Sequence, residues 1–225
     1  MRITKGTARA GLAPVLLLAG ALSGCAEPAD GDAKPSATAS ATAGGSRGTD
    51  TEATEVAKSG GTIGAAHSAC ELPVAFGTAE GWKAKAVRAG KAGSDGDLAD
   101  ALLRQGPVTL ACEIDAKPAG NIGFLRAWTG SPGGADARGV LRAFVAAEKN
   151  TKEARYRPFT AGGLSGVEVD YLYTTKLLDE TKKESAFAVV TPDGPVVVHL
   201  GGMDTEEHEA MLPAYELAKR TLRLA

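Results

Sequence analysis

The stretch LSGVEVDYLY, residues 164–173, decides the fold predicted for this chain. Apolar or aromatic side chains stand at positions 167, 169, 171 and 173, and Glu168 and Asp170 stand between them. Successive side chains of a β-strand point to opposite faces of a sheet. The alternation therefore predicts a strand with one buried and one solvated face, as is typical of an antiparallel sheet.

Three elements are predicted after this strand. A charged turn (DETKKE, residues 179–184) leads into two strands joined by Pro192-Asp193-Gly194, whose residue types favour a tight turn. A final helix follows the second of these strands. The three elements cover residues 185–191, 195–200 and 205–222.

Strands also dominate the predicted elements before residue 164. The strands cover residues 71–76, 82–88, 108–114, 123–129 and 153–159. Two helices are predicted among them, at residues 98–105 and 136–150, with Asp97 and Asp136 as their caps. Consecutive strands at hairpin spacing with inserted helices predict an α+β fold, an antiparallel β-sheet with helices packed on it.

Composition divides the chain into three parts. Residues 1–24 form a charged start followed by a short apolar stretch, the order of a secretory signal peptide. Residues 25–68 are rich in Ala, Gly, Ser and Thr and contain no aromatic residue, so we expect a disordered tether that reaches about 35 Å. Residues 69–225 are predicted to form one globular domain.

The end of the apolar stretch indicates the type of signal. Leu22-Ser23-Gly24-Cys25 resembles the lipobox of bacterial lipoprotein precursors. The resemblance implies that Cys25 receives a diacylglyceryl group and becomes the new N-terminus after cleavage. Two acyl chains anchor a protein stably on a membrane. The alternative is an ordinary signal peptide with an incidental cysteine.

The count of cysteines agrees with this prediction. Three cysteines are an odd number, which in an exported protein needs an explanation. If Cys25 carries lipid, Cys70 and Cys112 remain as a pair, and export permits a disulfide between them. The alternative is that both are unpaired thiols buried as small hydrophobic groups.

The order of the predicted elements resembles the PsbP-like α/β/α sandwich of exported actinobacterial lipoproteins. The points of resemblance are Gly81-Trp82 before a strand, a helix in the middle of the chain, and Leu164-Ser165-Gly166 before the alternating strand. Two antiparallel strands and a C-terminal helix complete the pattern. Members of this family are mainly adaptors and assembly factors, so the resemblance implies a binding domain.

Charge excludes one class of partner. Removal of Arg2, Lys5 and Arg9 with the signal leaves 22 basic against 27 acidic residues. A protein with this balance and no basic stripe is not expected to bind nucleic acid. The predicted partners are the membrane, through the lipid on Cys25, and an envelope protein, lipid or wall polymer.

Two groups of residues are candidates for chemistry. Gly163-Leu164-Ser165-Gly166-Val167 begins like a nucleophile elbow but lacks the final glycine and leads into a strand instead of a helix. His199 and His208 are nine residues apart, whereas zinc ligands on one helix are three to five apart. The carboxylates near them are Asp204, Glu206, Glu207 and Glu209.

Helix capping explains these carboxylates without a metal or a general base. Asp204 or Thr205 is placed to cap the final helix, and Glu207 stands at the capping-box position. Glu206 and Glu209 favourably meet the positive end of the helix dipole. The remaining histidine, His67, lies at the end of the tether. The sequence therefore predicts no catalytic residue, no metal site and no cofactor.

Structural roles also explain three further groups of residues. Asp95, Asp97 and Asp100 lack the full calcium-loop pattern and fit a cap and a solvated turn. The basic run fits the exposed face of an edge strand, although it could touch anionic lipid or wall polymers. Trp82, Trp128, Tyr171 and Tyr173 could line a pocket, but the core is expected to take most of them. The basic run is Lys83, Lys85, Arg88 and Lys91.

These observations favour a lipid-anchored, extracytoplasmic domain that is not an enzyme and that binds or positions an envelope partner. The alternative is a carrier of a small apolar ligand or lipid, which needs a pocket of a few hundred Å³. A cell-wall or ester hydrolase is the third hypothesis. It requires His199 or His208 within hydrogen-bond reach of a serine or carboxylate in a cleft.

Overall fold

Antiparallel strands make up most of the part of the chain that the computed structural model describes, residues 55–88, 103–176 and 179–225. The strands are β1 (Ser59–Ile63), β2 (Val74–Ala79), β3 (Lys83–Ala86), β4 (Arg104–Gln105), β5 (Val108–Asp115), β6 (Gly123–Thr129), β7 (Thr151–Ala161), β8 (Leu164–Thr174), β9 (Thr181–Thr191), β10 (Gly194–Gly202) and β11 (Arg223–Leu224). The helices are α1 (Ala137–Ala147) and α2 (Thr205–Arg220), with a 3-10 turn at Lys117–Ala119.

Two sheets result from these strands. The larger one has the order β3-β5-β6-β10-β9-β8-β7, with the short β4 paired beside β5, and all of its strand pairs are antiparallel. The smaller one has the order β1-β2-β11. The predicted α+β fold, an antiparallel sheet with helices packed on it, is therefore confirmed.

The two helices cover opposite faces of the large sheet. Alternate residues of β9 and β10 point to different sides, so Phe187 and Val198 lie in the core beneath α2, together with residues of the small sheet. Ala188 and Val197 lie in the second core, beneath α1. Neither described helix has the length and hydropathy needed to cross a membrane.

The prediction that one face of β8 is solvated fails for one of its two acidic residues. Val169 and Tyr171 are buried beneath α1 as expected. On the other face the side chain of Asp170 is 46% exposed, whereas that of Glu168 is only 13% exposed. Lys219 of α2 lies over this face and forms an ion pair with Glu168, so the helix covers this position.

The boundary between tether and domain, predicted at residue 69, was placed too late. Residues 59–63 form β1, which pairs with β2 through the backbone, and only Ile63 of this strand is buried. A strand held mainly by backbone hydrogen bonds needs no apolar pattern, so the composition SGGTI does not reveal it. The predicted signal peptide and most of the tether lie outside the described residues.

Three other element boundaries also required correction. A helix was predicted at 98–105, but Arg104 and Gln105 form the strand β4. The residues of this predicted helix before Leu103 lie outside the described part of the chain. The first predicted strand begins at Val74 instead of residue 71. The final helix ends at Arg220, because Arg223 and Leu224 pair with β2.

Side-chain caps begin both helices where the sequence indicates. The Asp136 carboxylate accepts a hydrogen bond from the Gly139 N–H, and the Asp204 carboxylate accepts one from the Glu207 N–H at 2.8 Å. Glu207 does not complete a capping box, because its carboxylate accepts from the Ile122 N–H at 2.9 Å. The start of α2 is therefore bonded to the loop before β6.

A disulfide joins Cys70 to Cys112, with 5.9 Å between their Cα atoms. Cys112 lies on β5 of the large sheet, and Cys70 lies in the segment between β1 and β2 of the small sheet. Both residues are buried in the core beneath α2. The predicted pairing is confirmed, and the bond connects the two sheets.

Candidate functional site

A group of ionisable side chains meets in the interior beneath the end of α1. We call it the Tyr171 cluster, and its members come from four elements that are far apart in the sequence. They are Glu148 at the C-cap of α1, Tyr171 on β8, Lys182 and Glu184 on β9, and His199 on β10.

The topology brings these residues together. Strands β8, β9 and β10 are neighbours in the sheet. Tyr171 of β8 pairs with Glu184 of β9. His199 of β10 pairs with Ala186, two residues after Glu184 on β9. The side chains of Tyr171, Glu184 and His199 lie on the face of the sheet that forms the core beneath α1, which contains Tyr171 and Phe144. Glu148, which follows the last turn of α1, closes the cluster from above.

Short hydrogen bonds connect the members. Glu184 Oε2 lies 2.9 Å from His199 Nε2 and 3.0 Å from the Tyr171 hydroxyl. The same hydroxyl lies 2.8 Å from Glu148 Oε2 and 3.2 Å from His199 Nε2. Lys182 Nζ lies 2.9 Å from the other oxygen of Glu184, Oε1, and donates to the Gly202 carbonyl at 2.7 Å.

Burial makes the charges of the cluster depend on one another. The exposed fraction of the Glu184 side chain is only 3%. Burial alone would raise the pKa of Glu184, but the pairing with His199 and Lys182 lowers it to about 2. Burial, and then the negative charge of Glu184, raise the pKa of Glu148. Burial and both carboxylates raise the pKa of Tyr171, which keeps its proton at neutral pH.

An open cavity of about 470 Å³ lies over the cluster. Its base contains Glu148, Glu184, His199 and Lys182. Trp128 and Tyr173 also line it, as does Gln105 of β4, and the exposed apolar side chains Ile122 and Met203 stand among its lining residues. The cavity thus combines a charged base, aromatic walls and an apolar rim.

One wall residue has an unused hydrogen-bond donor. The indole Nε1 of Trp128 is buried and has no hydrogen-bond partner among the described residues. The residue is only 7% exposed and lies edge-on to Phe144. A buried N–H without a partner costs free energy, so this donor is an exception among the buried polar groups.

A second polar group lies on the other face of the sheet, beneath α2. Ser185 Oγ lies 3.2 Å from His208 Nε2 and donates to Asp170 Oδ1 at 2.8 Å. Burial lowers the pKa of His208 to about 4, so its imidazole is neutral at neutral pH. These residues line a smaller cavity of about 390 Å³, whose rim carries charges of both signs.

A hydrolase was expected to need a histidine within hydrogen-bond reach of a serine or a carboxylate, and this requirement is met in part. Both histidines lie within hydrogen-bond reach of a serine or a carboxylate. In a catalytic triad, however, the acid orients the histidine, whereas here Asp170 bonds to Ser185 itself. Ser185 is also only 2% exposed, so a substrate carbonyl does not reach its hydroxyl without displacement of other atoms.

The structure separates the two histidines that the sequence suggested might act together. His199 belongs to the cluster beneath α1, and His208 lies beneath α2 on the opposite face. Of the carboxylates near them in sequence, Asp204 caps α2, and Glu209 pairs with Lys183 at the surface. The groups that lie beside His199 are instead Glu148, Tyr171 and Glu184, which are distant from it in the sequence.

The other candidate residues fall as follows. Ser165 is exposed on β8, directly after the Gly162-Gly163 turn, as the strand interpretation predicts. Lys83 and Lys85 are exposed on β3, at one end of the large sheet. Arg88 and His67 are exposed as well. The candidates that lie outside the described residues are Cys25, Lys91, Asp95, Asp97 and Asp100.

The aromatic residues divide between core and cavity. Trp82 packs against the core beneath α2, and Trp128 and Tyr171 are buried beneath α1. Trp128 also lines the large cavity, together with the half-buried Tyr173. The expectation that the core takes most of these residues is therefore confirmed, and two of them line the cavity as well.

Comparison with known proteins places the chain in a family. Residues 38–222 match the model of a family described as "Uncharacterised lipoprotein" (Lipoprotein_23). The chain belongs to this lipoprotein family. The match covers most of the chain, including every described strand up to β10 and both helices. No match is found among curated protein sequences.

One solved structure similar to this chain is the solution structure of cyanobacterial PsbP (CyanoP) from Synechocystis sp. PCC 6803. The similarity has a TM-score of 0.44 and 10% sequence identity, and it covers 68% of this chain and 87% of that one. The predicted similarity to the PsbP-like fold is found to this degree. Nothing about the function of this chain follows from it.

Proposed function

We propose that this lipoprotein is held on the outer face of the cell membrane by lipid on Cys25 and binds an envelope partner without catalysing a reaction. Membership of a lipoprotein family and the sequence Leu22-Ser23-Gly24-Cys25 support the anchor. A long segment between that cysteine and β1 gives the domain reach from the membrane surface.

The cavity over the Tyr171 cluster is the observation that carries this proposal. Its volume of about 470 Å³ lies within the range of ligand sites. The base offers charged groups, and the Trp128 indole offers a free donor. Ile122 and Met203 expose 51% and 56% of their surface beside it. A partner group that enters the cavity would therefore find polar contacts inside and apolar contacts at the rim.

The polar groups of the described residues favour binding over catalysis. Ser185 is only 2% exposed, so a substrate does not reach its hydroxyl without displacement of other atoms. His199 bonds to Glu184 and Tyr171, both of which are almost fully buried. A general base needs access to the proton that it removes, and both His199 and His208 are buried.

Photo-crosslinking in intact cells tests the proposal. A photoreactive amino acid in place of Met203 stands beside the cavity, and one in place of Leu224 is a matched control. Leu224 is exposed to a similar degree, 50%, but does not line the cavity. We expect crosslinked species from position 203 and not from position 224. Equal crosslinking from both positions, or none from either, would contradict the proposed binding face.

A carrier of a small apolar ligand is the second candidate function, and the size of the cavity favours it. The charged base opposes a purely apolar occupant, because burying Glu184 and Lys182 beneath hydrocarbon removes their remaining hydration. Native mass spectrometry of the lipidated protein distinguishes the two. Added mass lost on denaturation supports the carrier, and a mass accounted for by the lipidated chain alone argues against it.

A further inference from the structure

The Tyr171 cluster contains more short polar contacts than protons to satisfy them. The Tyr171 hydroxyl has one proton, and yet it lies within 3.0 Å of oxygens from both Glu148 and Glu184. A proton on His199 Nε2 serves the contact with Glu184 Oε2 at 2.9 Å. While both carboxylates are ionised, one of the two contacts between phenol and carboxylate is therefore left without a proton. Two oxygen lone pairs at this distance repel each other unless a positive particle lies between or beside them.

The two carboxylates of the cluster lie close together. Glu148 and Glu184 each direct an oxygen at the Tyr171 hydroxyl, at 2.8 Å and 3.0 Å. Lys182 bonds to the other oxygen of Glu184 and to the Gly202 carbonyl. A cation between the two carboxylates would interact favourably with both.

We propose that a divalent transition-metal ion binds between Glu148, Glu184 and His199 at the base of the cavity. The three side chains each offer one ligand atom, and these atoms all lie within 4.8 Å of one another. Imidazole nitrogens and carboxylate oxygens are both ligands of zinc in proteins, at distances of about 2.0–2.2 Å. Glu148 is the half-buried member at the end of a helix, so a rotation of its side chain brings the set together.

The surroundings have the features that a metal site needs. Lys182 holds the oxygen of Glu184 that faces away from His199, which orients the carboxylate as an outer partner does in metal sites. The rings of Phe144 and Tyr171 flank the His199 ring at centroid distances of 5.7 Å and 6.4 Å. The open cavity gives an ion a path to the cluster.

The unpartnered indole of Trp128 is an independent sign of a ligand here. Zinc held by three protein ligands keeps a further position for water or for an oxygen of a bound molecule. Trp128 lines the same cavity, and its buried Nε1–H has no hydrogen-bond partner among the described residues. The proposal departs from the expectation that the chain has no metal site, because that expectation paired His199 with the wrong carboxylates.

Zinc binding by the whole protein tests this inference. The lipidated chain is purified in detergent, treated with a chelator, and titrated with zinc against a fluorescent competitor. Bound metal is then counted by mass spectrometry after removal of the excess. We expect one zinc per chain, and we expect E148Q to weaken the affinity at least tenfold. E113Q is the matched control, because Glu113 lines the cavity but pairs with Arg126 outside the cluster.

E148Q preserves the fold in this design, since a glutamine oxygen still accepts from the Tyr171 hydroxyl. A thermal melt confirms that each variant is folded, and H199Q is compared with H67Q, whose histidine is exposed. Absence of bound zinc in the wild-type chain, or equal affinity in E148Q and E113Q, would overturn the metal site.

The inference rests on the proposed function, since the ion would form the base of the same binding cavity. The experiments distinguish failure of the metal site from failure of the proposed function. Crosslinking from position 203 does not depend on zinc, so crosslinks without zinc binding refute only the metal site. Zinc binding without crosslinks refutes the envelope partner and leaves a metal-binding domain.

Discussion

At the scale of single residues, burial decides the charge of His208. The side chain lies beneath α2, with Ser185 Oγ 3.2 Å from its Nε2. Burial lowers its pKa from 6.5 to about 4, opposed by the negative charges of Glu184 and Asp170 and assisted by the positive charges of His199 and Lys183. The folded protein therefore holds a neutral imidazole under conditions in which the unfolded chain binds a proton.

This difference predicts a dependence of stability on pH. Between pH 6.5 and about 4 the unfolded state binds more protons at His208 than the folded state. The free energy of unfolding should therefore fall as the pH falls through this window, by up to about 3 kcal/mol from this residue. Urea denaturation at pH 7 and pH 4.5 measures the loss. H208Q should lose less than the wild-type protein or H67Q, and equal losses in all three would contradict the assignment.

The Tyr171 cluster shows how far single residues could be predicted. His199 in the apolar run VVVHL indicates a buried polar group that needs a partner. Glu184 stands one residue before a run of small and apolar residues, which is also unusual for a charge. Neither signal names the partner, because Glu148 and His199 are 51 positions apart and meet only through the strand order. The chemistry of His199 could therefore be suspected from sequence, but its contacts could not.

At the scale of elements, local signals placed the two described helices and missed the strands β1, β4 and β11. Asp136 and Asp204 indicated where α1 and α2 begin, because a carboxylate at the N-cap satisfies a free N–H. The alternation in β8 and the apolar runs of β9 and β10 indicated the centre of the sheet. β1 could not be predicted, because its small residues pair through the backbone and only Ile63 is buried.

The cap of α2 gives a prediction at this scale. Asp204→Ala removes the acceptor for the Glu207 N–H and should reduce the free energy of unfolding by about 1 kcal/mol. Chemical denaturation measures the change. Glu206→Ala is the control, because Glu206 is exposed in the same turn and does not cap the helix. If both variants lose the same stability, the dipole of the helix and not the cap is the cause.

At the scale of the whole molecule, the disulfide connects the small sheet to the large one. Cys70 and Cys112 are separated by 42 positions, and the segment between them contains β2, β3, β4 and residues outside the described part of the chain. A bond that closes a loop of this length restricts the unfolded chain. Side-chain packing beneath α2 and the chain connections also join the two sheets.

Removal of this bond should be costly for stability. The chain-entropy model gives about 4 kcal/mol for the loop, so C70A/C112A should unfold at a clearly lower denaturant concentration than the wild-type protein. The double variant avoids a free thiol that could pair with another chain. Denaturation of the wild-type protein under reducing conditions is the matched measurement. A double variant as stable as the oxidised protein would show that packing alone holds the sheets together.

The central claim is that the cavity over the Tyr171 cluster faces a partner in the cell envelope. The yield of photo-crosslinks from position 203 relative to position 224, in cells that make the lipidated protein, tests it most directly. We predict discrete crosslinked species from position 203 that are absent at position 224. A ratio near one, with the same species or none at both positions, would contradict the claim that this cavity is the binding face.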